Sequence, residues 1–102
     1  KGKYAPYWNN MQELVEMISS SSDENEIIEL EVYKLTMYSI ETYARKFKAD
    51  GITQDQMNNL FTTVKTEASD VSTTSDKTEQ LKTDVMNRFD AAQAAIENAF
   101  RE

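Results

Sequence analysis

The sequence predicts an all-α fold: an antiparallel bundle of three or four helices, built as one domain over residues 1–102. Three observations predict it. Two glycines and one proline leave little material for tight turns and none for a glycine-rich phosphate loop. Apolar residues recur at intervals of three and four through most of the chain. Helix-start and helix-stop residues bracket those runs, and the short connections between them favour antiparallel neighbours. A chain of this length can bury a small core, well short of a large enzyme's.

The first helix is expected from Pro6 to about Ser19. Proline suits the first turn, where its missing N–H costs nothing. Trp8, Met11, Val15 and Ile18 fall at helical spacing with Leu14 beside them, and the serine run from Ser19 ends the pattern. Tyr4, Tyr7 and Trp8 form an aromatic cluster. It reads as a lid on one end of the bundle, its indole and phenol groups reaching water, in preference to an exposed anchor for a partner.

The second helix is expected over residues 23–48. Ser21 with Glu24, and Asp23 with Glu26, have the spacing of a capping box, and the acids favour the positive end of the helix dipole. This acidic run is a helix start and no calcium loop, because it lacks the alternating oxygen ligands and the bend glycine. Gly51 can take the left-handed conformation that stops a helix. Leu30, Tyr33, Met37, Ile40, Ala44 and Phe47 form one stripe with 3-4-3-4-3 spacing. Ile28, Val32, Leu35 and Tyr43 form a second, displaced by about 130°. Together they cover roughly 200°, where a surface helix needs little more than about 100°. Such a helix should touch at least two neighbours.

The C-terminal half opens with a further capping box, Thr53 and Gln56. Met57, Leu60 or Phe61, Val64, Ala68 and Val71 continue a helical stripe over residues 53–71. The pattern fails across residues 72–80 and resumes with Leu81, Val85, Phe89, Ala92, Ile96, and Ala99 or Phe100. One long helix with a solvated middle fits, and so do two helices, 53–71 and 76–101, with Asp76 and Glu79 opening the second. The run of Ser, Thr and Asp is poor helix interior and favours the break.

Composition excludes most chemistry. A net charge of −7 opposes nucleic-acid binding and anionic membrane surfaces, both of which need a basic face. The one basic cluster, Arg45, Lys46 and Lys48, matches the negative end of the second helix's dipole. No apolar run approaches a membrane span or the core of a signal peptide, and the start at Lys1 points to a processed chain or a fragment. Without histidine or cysteine there is no ordinary zinc site, no common nucleophile–base pair and no Glu-x-x-His di-iron motif. The acids lie on polar faces at helical spacing, as Glu13 and Glu16 do, and read as solvated surface. Of the five methionines, Met11, Met37 and Met57 lie on core stripes and read as filler, with Met17 and Met86 outside them. The expectation is a protein without enzyme activity, cofactor, metal or small-molecule substrate, acting on a protein partner or on itself. The residues expected to form core or interface are Leu30, Tyr33, Met37, Ile40, Ala44 and Phe47, with the C-terminal seam Leu81, Val85, Phe89, Ala92 and Ile96. Internal packing is the reading favoured for most of them.

Residues 24–52 resemble the helical repeat region of type III secretion needle and inner-rod subunits. The resemblance rests on an acid-led start, the step Ile28-Glu29-Leu30-Glu31, and the pair Tyr38-Ser39. Residues 64–100 are similar in character to the long C-terminal helices of filament and tip proteins, in which Thr, Ser and Asn interrupt a heptad stripe. Needle and rod subunits end soon after the Tyr-Ser helix, whereas this chain continues to residue 102. The resemblance implies a secreted or cell-surface structural subunit whose second stripe faces neighbouring subunits. The competing expectation is a self-contained four-helix bundle, serving as an acidic adaptor, immunity or chaperone-like binding module.

Overall fold

A computed structural model describes residues 2–21 and 25–101. They form α1 (Tyr4–Ser19), α2 (Glu26–Ala49), α3 (Gln54–Asp70), α4 (Asp76–Met86) and α5 (Phe89–Arg101), with no strand among the described residues. The last two join into one bent helix, so the architecture is an up-down-up-down four-helix bundle. The start of α1 lies beside Asp50 and its end beside Glu26. The start of α4 is tied to Glu26 through Thr74, and the end of α5 to Lys48 through Ala99. Consecutive helices therefore run antiparallel, while α2 and the α4–α5 unit run parallel.

Each boundary has a local cause. At its C-terminus α2 closes in a Schellman turn: Gly51 sits at φ 99°, its N–H reaches Lys48 O at 3.0 Å, and Ile52 N–H reaches Phe47 O at 3.0 Å. Ile52 is buried there, the apolar contact that accompanies the motif. Thr53 and Gln56 then form the expected capping box, with N–H···O distances of 3.1 and 2.8 Å. The chain leaves α3 at Val71 in extended conformation, and Ser75 caps α4 through Thr78 at 3.1 Å. The break near Ser75 is thus real, with Asp76 and Glu79 in the first turn of α4.

Three boundaries differ from expectation. α1 begins at Tyr4, two residues before Pro6, because the Asp50 carboxylate accepts the N–H groups of Tyr4 (2.8 Å) and Ala5 (3.1 Å). A cap supplied from 46 residues away leaves no local trace, and Pro6 is still tolerated within the first turn. α2 is capped by Asn25, whose Oδ1 accepts Ile28 N–H at 3.1 Å. The capping boxes expected at Ser21–Glu24 and Asp23–Glu26, and the start at residue 23, involve positions outside the described residues. The segment expected as a single helix over 76–101 bends at Asn87-Arg88, where Arg88 N–H turns to Val85 O at 3.0 Å in a tighter, 3₁₀-like step.

The core explains why α2 carries so much apolar surface: it packs against every other helix. Leu30, Tyr33, Met37, Ile40, Ala44 and Phe47 are all buried, facing α3 and the α4–α5 unit as well as α1. Val85, Phe89, Ala92 and Ile96 are buried from the other side, and Leu81 is half-buried against them. Fully burying one such large side chain contributes about 1.5–3 kcal/mol before entropy is counted. At one end, Phe47 is ringed by Trp8 (centroids 5.1 Å apart), Tyr7 (5.6 Å), Tyr43 (6.2 Å) and Tyr4 (6.3 Å). The aromatic cluster is a lid, but Trp8 lies beneath it, fully buried, its Nε1–H donating to Gln12 Oε1 at 3.0 Å.

Candidate functional site

The second stripe of α2 divides in two. Tyr43 is covered by Tyr4 and Tyr7 of α1, and Val32 is half-buried against the core. Ile28 and Leu35 are not covered. Together with Ile27 and Tyr38 they leave four large apolar side chains 46–52% exposed on one helix. At 100° per residue these four span about 100° of the outer face, centred opposite the core stripe. Sequence reasoning found Ile28 and Leu35 but missed Ile27 and Tyr38, which lie on neither stripe it traced. Their signal was present: 27, 31, 34 or 35 and 38 is itself a helical repeat, interrupted by Glu31 and Lys34.

Beside this face runs a groove between α2 and α4. One end is lined by Ile27, Leu81 and Lys77, the middle by Glu31, Leu35 and Tyr38. At the same level Lys34 and Asp84 flank the cleft, and Arg88 and Glu41 line its other end. Arg88 is held over the ring of Tyr38, 5.6 Å from its centroid, and approaches Glu41 at 3.9 Å.

The opposite side of the bundle offers a different surface. A shallow cleft gathers Glu26, Glu29, Glu67 and Asp70 where α2 begins and α3 ends. Glu26 has structural work there, accepting both the N–H (2.8 Å) and the hydroxyl (2.6 Å) of Thr74. Below the cleft is the phenol of Tyr33, buried and without a hydrogen-bond partner among the described residues. Burial, reinforced by Glu29 and Glu67, pushes its pKa up to about 12. No group of three or more acidic residues among the described ones is arranged to hold a metal ion.

The remaining candidates have packing roles. Lys48 donates to Ala99 O at 2.9 Å and lies 5.2 Å from the Phe100 centroid, tying α2 to the end of α5. Of the Tyr38-Ser39 pair, Ser39 is buried and hydrogen-bonded to the Tyr7 hydroxyl, while Tyr38 faces out. Met11, Met37 and Met57 are buried, and Met17 and Met86 are exposed. None of the described helices is long and apolar enough to cross a membrane. No protein-family model matches the chain, and neither a curated protein nor a solved structure matches it.

Proposed function

We propose that this is a non-enzymatic helical protein that acts through protein–protein contacts made by the outer face of α2. The observation that carries the reading is the quartet Ile27, Ile28, Leu35 and Tyr38, exposed on a helix whose inner arc is completely covered. Scattered exposed apolar residues are ordinary; four on one face beside a groove mark a contact surface. The self-contained bundle supports a binding module, because the stripe from Leu30 to Phe47 is used up inside its own chain. A secreted structural subunit of the needle or filament type remains the second reading. It draws on the uncovered part of the second stripe, Ile28 and Leu35, which is where neighbouring subunits would pack.

A photo-crosslinking side chain at position 35, expressed in the protein's own cells, tests the proposal against the same probe at Asn58, exposed on α3. A discrete polypeptide adduct from position 35 and none from position 58 is expected. Equal yields from both positions, or no adduct from position 35, would overturn it.

A further inference from the structure

We infer that the acidic cleft where α2 begins and α3 ends is a second contact site, which takes an arginine side chain of a basic protein partner above the Tyr33 phenol. It lies on the opposite side of the bundle and does not depend on the outer-face contact.

The charge of this cleft is one-sided. Glu26, Glu29, Glu67 and Asp70 line it, and no base does among the described residues. Glu26 is committed to Thr74. The carboxylates of Glu67 and Asp70 enter no hydrogen bond or ion pair among the described residues. Both stand in the last turn of α3, at the negative end of its dipole, where acids are disfavoured. α1 ends on the same cleft through Ile18 and Ser19. Neither α1 nor α3 carries a base in its last turn. α2 and α5 end at the other pole of the bundle, and there they carry Lys46, Lys48 and Arg101. Lys82 reaches the rim from α4, but its ammonium donates to Val71 O at 2.8 Å and does not line the cleft. Acids set against a dipole, with no base to offset them, suit a cation supplied from outside.

Tyr33 supplies the independent observation. Its hydroxyl is fully buried and has no hydrogen-bond partner among the described residues, where folded proteins pair nearly all buried polar groups. Side chains on a helix lean toward its N-terminus, so the ring rises from position 33 toward Glu29, one turn earlier. Glu29 and Glu67 both push its pKa up, which sets the oxygen within the field of both carboxylates. The phenol therefore points at the cleft from below.

The choice of cation follows from how the acids are spread. They are not arranged to converge on a metal ion. A guanidinium carries five N–H donors in a planar fork, which suits carboxylates on two walls: Glu29 of α2, and Glu67 and Asp70 of α3. One further N–H reaches the phenol oxygen after a side-chain movement at the cleft floor, and gives it the donor it lacks. The net charge of −7 draws a basic partner toward this surface.

The test is titration of the isotope-labelled chain with a blocked triarginine peptide, followed by amide NMR at physiological ionic strength. Helical content is checked for each variant. Saturable shifts are expected around residues 26–29 and 67–72. Glu67→Gln with Asp70→Asn should weaken binding at least about tenfold. Asp90→Asn with Glu97→Gln removes the same charge from exposed positions on α5 and should change it less than about twofold. Tyr33→Phe keeps the ring and should weaken binding about threefold or more. The inference is overturned if binding does not saturate, if both charge pairs weaken it equally, or if Tyr33→Phe binds as the wild type does. Magnesium ions or free argininamide shifting the same amides as tightly as the peptide would also overturn it, in favour of a small-ion site. The crosslink from position 35 reports on another face, so the two readings fail separately.

Discussion

The two faces of α2 are built from similar residues and have opposite fates. Leu30, Tyr33, Met37, Ile40, Ala44 and Phe47 vanish into the bundle, while Ile27, Ile28, Leu35 and Tyr38 stay about half exposed. Hydrophobicity does not separate them, for the outer face carries two isoleucines and a leucine. What separates them is geometry. Three helices can surround one side of α2, and α1 reaches round only far enough to cover Tyr43 and shelter Val32. An apolar arc wider than the fold can cover is thus the feature that links this bundle's packing to its proposed contacts.

The largest expected effects lie on the inner face. Phe47→Ala or Tyr33→Ala removes a fully buried aromatic and should cost about 3–5 kcal/mol, enough to unfold much of a domain this small. Chemical denaturation measures it, and a loss under about 1 kcal/mol would show that the inner face is not the core.

Next comes an alkaline effect at Tyr33. Its pKa is about 12 in the folded chain against about 10 when unfolded, so folding favours the neutral phenol. The stability it supports is whole below about pH 10 and falls between about pH 10 and 12, by about 2–3 kcal/mol. Tyr33→Phe should remove that part of the alkaline loss. Near neutral pH it should raise stability by about 1 kcal/mol, since it deletes a buried hydroxyl without a partner. A destabilised phenylalanine variant would mean that the hydroxyl is satisfied after all.

A smaller effect concerns how the start of α1 is held against the end of α2. Asp50→Ala deprives the Tyr4 and Ala5 N–H groups of their shared acceptor and should cost about 1–2 kcal/mol. Amide exchange at the start of α1 should quicken with it, while exchange in α3 stays unchanged. The smallest effect is expected on the outer face. Leu35→Ala should leave the monomer's stability within about 0.5 kcal/mol, though Met37→Ala two residues away should cost about 2–5 kcal/mol.

Much of this organisation was legible in the sequence, and the failures share a cause. The stripes on α2 and the C-terminal seam follow from spacing alone. So do the Gly51 stop, the Thr53–Gln56 box and the break near Ser75, because each is set by residues within a few positions. Local reading failed where the partner is distant. It started α1 at Pro6 because Asp50 supplies the cap, and it let the indole of Trp8 reach water because Phe47 and the tyrosines close over it. It ran residues 76–101 straight, although the chain bends at Asn87-Arg88 with no glycine or proline to announce it. For the candidate site, the surplus of apolar surface and half of its members, Ile28 and Leu35, follow from helical spacing. Which half stays exposed depends on where α1 and α4 come to rest, and only the packed bundle shows the charges of α4 beside those of α2.

The decisive measurement is photo-crosslinking from position 35 in two chains that differ only by Ile28→Ser, both checked for helical content. Ile28 and Leu35 share the exposed face of α2, so the expected result is a discrete adduct that the Ile28→Ser change abolishes in an equally folded chain. No adduct, or one that survives the change undiminished, would contradict the contact surface.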